Sequence, residues 1–220
     1  MPVRKVVLVN NEIYHVFNRA VANEEIFGRK YNLLRMLKIV DYYRFPQTLR
    51  FSKFKVLPPS QQIEYLKGQS KEPLVEIYAF AFMPNHYHLL VKQLKENGIR
   101  RFIANIQDSF ARTFNLKNKR EGALFQSPFK AKRIETEEQL IHISRYIHLN
   151  PVTSFLIEFK DLFNYSATSF SVYTKKAVVP FLNQDYLLKI FGSREAYISF
   201  TENQVDYQRK LVLIKNLMLE

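Results

Sequence analysis

Residues Val75 to Lys92 read VEIYAFAFMPNHYHLLVK, and this stretch decides the fold. Two runs rich in β-branched and aromatic residues, Val75–Phe82 and His86–Lys92, predict β-strands. They are joined by Met83-Pro84-Asn85, and a Pro-Asn step of this kind is typical of a turn. A connection this short can join only antiparallel neighbours, so the stretch predicts a β-hairpin.

Elements on both sides of the hairpin complete a larger pattern. Before it, Ile13–Arg19 alternates as a strand does, and Tyr31–Phe45 has apolar residues at helical spacing up to Pro46. After it, Ile99–Leu116 has a helical apolar stripe, and a fourth strand is predicted near Ala123–Ile134. The order β-α-β-β-α-β predicts an α+β fold with a ferredoxin-like antiparallel sheet and helices on one face.

A further helix follows the fourth strand. Thr136 and Gln139 have the spacing of a capping box, and Pro151 is predicted to end the helix at Asn150. From about Val152 the chain shows a loop, two short helical patterns at 183–191 and 193–201, and a basic amphipathic tail. We therefore expect a main domain at 1–152, with an exposed insertion at about 47–73 that has one helical turn near 63–66, and a helical extension at 153–220.

The composition indicates a soluble protein with a polyanionic partner. Lys and Arg number 33 against 20 Asp and Glu, a formal net charge of +13, and 15% of the residues are aromatic. Such a chain attracts nucleic acid, whose unstacked bases suit aromatic rings. A membrane-surface helix is the alternative, but the basic residues are spread along the chain. There is no cysteine and no apolar run of membrane-spanning length, and the short N-terminal apolar run predicts no secretory signal. We expect a cytoplasmic protein.

The second hairpin strand carries a histidine pair. Residues two apart on a strand share a face, so His86 and His88 present their imidazoles side by side, while Tyr87, Leu89 and Val91 face the core. Two imidazoles on one strand can supply two ligands of a metal site. The alternative is that the pair lies on a solvated face. Its position directly after the turn favours a cleft at the end of a strand.

The helix that begins near Thr136 offers further polar groups. His142, Tyr146 and Asn150 are spaced i, i+4 and i+8 and therefore share one side of that helix. A phenolate beside a metal ion can attack a phosphodiester phosphorus while the cation polarises the phosphoryl oxygen. The alternative for Tyr146 is a surface tyrosine, because the chain has 13 tyrosines. His142 and His148 are interpreted as satisfied or surface histidines rather than ligands.

Two segments resemble a known family. MPNHYHLLV (Met83–Val91) and RYIHLNPV (Arg145–Val152) look like the signature pair of the IS200-like, single-tyrosine transposases, and more narrowly of the REP-associated tyrosine transposases. YHVFNRA near the N-terminus and LFQSPFKAKRI (Leu124–Ile134) are similar to two further family segments in the same order. A Tyr-Ser loop at Tyr165 and the Phe191–Tyr197 pattern fit the extension common in that branch. The resemblance covers most of the chain except the 47–73 insertion.

The resemblance implies roles for four residues. His86 and His88 would be metal ligands and Tyr146 the nucleophile, while Asn150 falls where the family places a third ligand, often a glutamine. A carboxamide oxygen with two imidazoles suits Mg²⁺ or Mn²⁺. The implied reaction cleaves and rejoins single-stranded DNA near a hairpin through a covalent 5′-phosphotyrosine, with a free 3′-OH and no nucleotide cofactor.

Several basic residues are candidates for the DNA path: Arg19, Arg100, Arg101, Arg112, Lys130, Lys132 and Arg133. Two rival functions stay open at this point. One is a non-catalytic nucleic-acid-binding module on the same fold, and the other is a metal hydrolase that uses water as its nucleophile. For each of these functions that involves DNA, the expected partner is a single strand or a hairpin. The chain could act alone or as a homodimer that shares active sites.

Overall fold

A four-stranded antiparallel sheet forms the frame of the protein. The computed structural model describes residues 6–69, 71–207 and 209. The strands pair in the order β2-β3-β1-β4, which is the ferredoxin-like arrangement predicted from the sequence. Their bounds are Ile13–Arg19 (β1), Val75–Met83 (β2), His86–Gln93 (β3) and Lys130–Ile134 (β4).

The β2–β3 hairpin forms where the sequence predicts it. Its register pairs Met83 with His86, so Pro84 and Asn85 make the turn. The Pro84 carbonyl accepts hydrogen bonds from the backbone N–H groups of Ile26 and Phe27, at 2.8 and 2.9 Å. The turn is therefore held by the segment that follows β1, and its backbone acceptor does not stay unpaired.

Two helices cover one face of the sheet. They are α1 (Lys30–Tyr43) and α4 (Gly98–Lys117), which pack against each other. The apolar stripe of α4, including Phe102, Ile106 and Phe110, is buried in one cluster with the β-strand residues that point to this side. Burying each such side chain contributes about 1.5–3 kcal/mol, so this face supplies much of the folding free energy.

One helix lies on the opposite face. This helix, α5 (Glu137–Thr153), contacts β2 and β3 and begins with the predicted cap: Thr136 Oγ1 accepts from the Gln139 N–H at 3.1 Å. The predicted end at Asn150 is wrong, because the helix continues through Pro151 to Thr153. Proline removes only one hydrogen bond in the last turn, and the burial of Leu149 and Val152 outweighs that loss.

The prediction of an exposed 47–73 insertion with one helical turn is wrong in part. The segment contains two helices, α2 (Phe51–Lys55) and α3 (Pro59–Gly68). Phe51 and Phe54 of α2 are buried against Tyr42 of α1, although α3 has no buried residue. The spacing of the two phenylalanines places both on the inner side of a short helix.

The fourth strand is shorter than predicted. It begins at Lys130, and the residues from Ala123 to Phe129 form a loop with a single bridge between Phe125 and Ala20. Pro128 lies in this loop, and a proline lacks the N–H that a strand ladder uses. The site residues of β4 are therefore confined to its five positions.

The described part of the C-terminal region is helical. Four short helices follow α5: Phe159–Leu162 (α6), Phe170–Tyr173 (α7), Asp185–Phe191 (α8) and Arg194–Glu202 (α9). The last two correspond to the predicted patterns at 183–191 and 193–201, and all four contribute to the cluster around α5. The predicted basic tail lies mainly outside the described residues. Among the helices that are described, none has the length and apolar character needed to span a membrane.

The packing of α2 leads to a stability prediction. Phe54→Ala removes a side chain that is only 9% exposed, so we expect it to lower the free energy of unfolding by about 3 kcal/mol. Ile63→Ala on α3 is the matched control, because Ile63 is 57% exposed and its loss should cost less than about 0.5 kcal/mol. Urea denaturation of the three proteins measures both values. Equal stability of the Phe54 variant and the parent would show that α2 does not pack on α1.

Candidate active site

The histidine pair lies on the face of the sheet that α5 covers. Because side chains alternate along β3, His86 and His88 point toward α5, whereas Tyr87 and Leu89 enter the opposite core. The two imidazole centroids are 5.1 Å apart with an interplanar angle of 84°. The rings are therefore neighbours, as predicted, but they meet edge to face and are not parallel.

Helix α5 carries Tyr146 and Asn150 to these histidines. The Tyr146 ring centroid lies 5.5 Å from that of His88, and Asn150 Nδ2 lies 3.4 Å from His88 Nε2. Asn150 also forms a side-chain hydrogen bond with His86. The structure thus brings together, within one chain, the four residues that the resemblance implies. His142 lies apart from them, beside Arg145 and near Glu138.

The other ring nitrogens of the pair have partners of their own. His86 Nδ1 lies 2.7 Å from Asn85 Oδ1, and His88 Nδ1 lies 2.8 Å from His15 Nε2. The Nε2 atom of His88 faces Asn150. His15 was not among the residues predicted for the site. The sequence did contain a signal for His15, because the alternation of β1 places it on the same face as Phe17 and the candidate Arg19.

Burial keeps these histidines neutral. Desolvation, reinforced by the charges of neighbouring His15, His86 and Arg19, lowers the pKa of His88 to about 2. Desolvation and Arg19 lower the pKa of His86 to about 4, although its hydrogen bond with Asn150 opposes this. Desolvation and Lys132 lower the pKa of His15 to about 4. At neutral pH these imidazoles are therefore in the neutral form, which is the form that can bind a metal ion.

An open cleft of about 360 Å³ leads to these groups. Tyr146 is 39% exposed there, which leaves its hydroxyl within reach of a ligand that enters from solvent. The lining includes two cations, Arg19 and Lys130. The other lining residues are Phe17, Asn18, His86, His88, Gln126 and Tyr146. An anionic ligand in this cleft would contact an exposed phenol and two positive charges at the same time.

The predicted basic residues divide between the two faces of the sheet. Lys132 is paired with His15 in the register, so it shares the face of Arg19 and Lys130. Arg133 points to the other face and forms an ion pair with Glu12 at 2.8 Å, because strand side chains alternate. Three further candidates lie on α4, behind the sheet, and none of them lines the cleft: Arg100, Arg101 and Arg112.

The side of α5 that faces away from the cleft is bound to the C-terminal helices. His148 is fully buried, with Nδ1 2.6 Å from the Tyr197 hydroxyl and Nε2 2.6 Å from Ser169 Oγ. Arg145 stacks on the Phe200 ring, 4.0 Å from its centroid, and donates to the Phe200 carbonyl. His148 is thus the satisfied histidine that the sequence predicts. These contacts set the rotation of α5, and with it the direction of Tyr146.

The lowered histidine pKa values lead to a pH prediction. Burial lowers the pKa of His148 to about 3, and the pKa values of His15, His86 and His88 are also below the ordinary value of 6.5. Unfolding therefore takes up protons below pH 6.5. The free energy of unfolding should have its full value above that pH and should fall as the pH drops. The protonation of His148 on unfolding should by itself lower the free energy of unfolding by on the order of 2 kcal/mol at pH 5.

Urea denaturation of the metal-free protein at pH 7, 6 and 5 tests this expectation. The loss should begin near pH 6.5, where carboxylates remain ionised. An unfolding free energy that is constant between pH 6.5 and pH 5 would contradict the burial of neutral histidines.

A comparison with solved structures supports the fold. A REP-associated tyrosine transposase bound to a REP hairpin is similar in fold, with a TM-score of 0.55 and 16% identity, over 82% of this chain and 90% of that chain. A Deinococcus radiodurans R1 protein described as a candidate transposase has a TM-score of 0.37 and 14% identity, over 66% of this chain and 95% of that one, which is too weak to carry an argument. Among curated proteins, no relative matches significantly.

The family model of the IS200-like transposases matches residues 58–150. That segment includes the β2–β3 hairpin, α4, β4 and α5 as far as Asn150. It therefore holds both histidines of the pair, Tyr146 and the carboxamide beside them. Over these residues the chain is similar to the IS200-like transposases.

Proposed function

We propose that this protein cleaves and rejoins single-stranded DNA beside a hairpin, with Tyr146 as the nucleophile and a divalent metal ion bound by His86, His88 and Asn150. One observation carries the proposal. The ring of Tyr146, exposed in a cationic cleft, lies 5.5 Å from that of His88 in the same chain. A nucleophile and a metal site are thereby adjacent without a second protomer.

The residues present fit a metal ion. Asn150 lies beside both His86 and His88, with its Nδ2 3.4 Å from His88 Nε2, and a turn of its amide group would present the oxygen to an ion shared with the two imidazoles. The described residues contain no group of three His, Cys, Asp or Glu side chains that could hold a metal, so the site depends on the Asn150 oxygen. This mixed set suits Mg²⁺ or Mn²⁺, and DNA phosphate and water would complete the coordination. When bound, the ion supplies polarisation of the phosphoryl oxygen.

Tyr146 performs the covalent step. Its oxygen forms a bond to phosphorus as its proton leaves to solvent, and the bond from phosphorus to the 3′ oxygen breaks. The 3′ oxygen takes a proton and becomes a free 3′-OH, and the DNA remains attached as a 5′-phosphotyrosine. Attack by a 3′-OH on that phosphotyrosine restores the DNA bond and releases Tyr146. One phosphodiester replaces another in each direction, so no nucleotide cofactor is required.

Arg19 and Lys130 bind the DNA backbone on either side of the reacting phosphate. Both line the cleft, and Lys132 extends the same positive face along β4. Cations at this position stabilise the extra negative charge that develops on the phosphoryl oxygens. The net charge of +13 attracts the strand from a distance. The proposed path leaves out Arg133 and the three arginines of α4, which lie behind the sheet.

A hairpin near the cleavage site is the preferred DNA partner. Support comes from the similar fold of a REP-associated tyrosine transposase that is described as bound to a REP hairpin. We assign cleavage to residues 1–152 and treat 153–220 as an extension, the described part of which orients α5. The complete site within one chain makes a monomer sufficient for cleavage.

The covalent adduct tests the nucleophile. Wild-type protein incubated with hairpin-bearing single-stranded DNA and Mn²⁺ should form a protein–DNA adduct that resists SDS, and Tyr146→Phe should reduce it at least about 10³-fold, because the variant has no attacking oxygen. Tyr31→Phe is the matched control, since Tyr31 is also exposed but lies on α1. Denaturing gels with labelled DNA measure the product.

The other outcomes separate the alternatives. An adduct in Tyr146→Phe would assign the nucleophile to another residue. Cleavage without an adduct would favour a hydrolase that uses water, and salt-sensitive binding without cleavage would favour a non-catalytic module.

The division of the basic residues gives a second test. Lys130→Ala should weaken single-strand binding severalfold and reduce the slope of log K against log salt by about 0.7, the amount for one phosphate contact. Arg101→Ala removes the same charge from the far side of the sheet and should leave the slope unchanged. Fluorescence anisotropy at several salt concentrations measures both. Equal effects of the two variants would show that total charge, and not the cleft, governs binding.

A further inference from the structure

We propose that His15 is a positioning residue that holds His88 in the tautomer able to bind metal. The inference rests on the proposed metal site of His86, His88 and Asn150. In this role, the Nε2 atom of His15 accepts a hydrogen bond from His88 Nδ1–H. The lone pair of His88 then resides on Nε2, the atom that faces Asn150.

The β1–β3 register brings the two rings together. His88 is opposite Phe17 and Leu90 is opposite His15, so His15 and His88 are diagonal neighbours on one face. Their rings stack with centroids 5.1 Å apart and an interplanar angle of 21°, and the two nitrogens are separated by 2.8 Å. The residues are only 6% and 5% exposed, so solvent offers little competition for this hydrogen bond.

The contacts of His88 indicate the direction of this hydrogen bond. On its other side, Nε2 faces the Nδ2 amide group of Asn150 at 3.4 Å, which is a donor. Nε2 is then the acceptor, and the ring proton belongs on Nδ1. The opposite direction would place a proton on Nε2 and set two donors against each other.

His86 shows the same arrangement. Its Nδ1 lies 2.7 Å from Asn85 Oδ1, and a carboxamide oxygen is an acceptor. With a metal ion bound, both histidines would direct a proton outward, to Asn85 and to His15, and both would present Nε2 to the ion. A metal-binding histidine commonly donates its second ring N–H in this way, and loss of the outer partner typically weakens metal affinity 10–100-fold.

Further contacts fix the orientation of His15. Its ring stacks on Phe17 with centroids 4.9 Å apart, and the Tyr146 ring meets it edge on at 5.9 Å. His15 therefore touches both the histidine that would bind metal and the tyrosine that would attack. Because two aromatic rings enclose it, the imidazole has little freedom to turn its Nε2 away from His88.

Two substitutions separate an acceptor role from simple packing. Glutamine can place a carboxamide oxygen near the position of the imidazole Nε2, whereas leucine fills the space without an acceptor. His15→Leu should weaken Mn²⁺ binding 10–100-fold, and His15→Gln should remain within a few-fold of wild type. Electron paramagnetic resonance titration of the full chain with Mn²⁺ alone measures both affinities. His142→Leu, at a histidine that contacts neither ligand, should leave the affinity unchanged.

The tautomer of His88 supplies a readout without metal or DNA. In the ¹⁵N NMR spectrum of the metal-free protein, His88 should carry its proton on Nδ1 in wild type and in His15→Gln, and should shift toward Nε2 in His15→Leu. Equal Mn²⁺ affinity of His15→Leu and wild type would overturn the proposal. Equal weakening in the glutamine and leucine variants would overturn the acceptor role, even if both fold normally.

Failure of the proposed function gives a different result. If wild type binds Mn²⁺ no better than His86→Ala, the metal site itself is wrong, and the positioning role toward metal falls with it. The adduct assay on Tyr146 then reports separately on the nucleophile. Thermal unfolding of each variant without metal shows whether a lost affinity reflects a lost fold.

Discussion

The antiparallel pairing of β1 with β3 is the constraint on which the rest of this structure depends. Its register aligns Phe17 with His88 and Arg19 with His86, and the diagonal neighbour His15 reaches His88. A slip of one residue would turn every side chain of β3 to the other face, sending the histidines into the apolar core. The burial of Tyr87, Leu89 and Val91 on that core side resists such a slip. Core packing thus maintains the geometry of the site.

The two faces of the sheet serve different purposes. One face is closed by α1 and α4 with an almost entirely apolar cluster. The other is apolar only where α5 and the C-terminal helices cover it, and toward the hairpin turn it becomes a cleft with histidines and cations. Burial of neutral imidazoles there costs stability at low pH, and the paired ring nitrogens offset much of the desolvation at neutral pH.

Helix α5 joins the site to the C-terminal region. Alternate sides of this helix carry Tyr146 and Asn150 toward the cleft, and Arg145 and His148 toward α7 and α9. Because His148 is hydrogen-bonded through both ring nitrogens, a rotation of the helix would break two buried hydrogen bonds as well as move the tyrosine. The extension therefore orients Tyr146, the proposed nucleophile, although the extension lies outside the segment that the family model matches.

The amino-acid sequence by itself determined the local elements and the identity of the candidate groups. The alternation of the hairpin strands, the capping box of α5 and the spacing of Tyr146 and Asn150 depend on interactions within one turn or strand, so a pattern of a few residues is enough to predict them. The helical spacing likewise predicted α1 and α4 to within two residues at each end. The resemblance to the IS200-like transposases rests on the same local segments.

Only the tertiary structure decided which distant groups meet. The His15–His88 contact joins residues 73 positions apart, and the separation of Lys130 from Arg133 and from the arginines of α4 depends on which face each element covers. The burial of Phe54 and the continuation of α5 through Pro151 are likewise effects of packing, which outweighs local preference. Such contacts form between segments whose pairing register and face are set by the whole core. No short stretch of sequence contains that information.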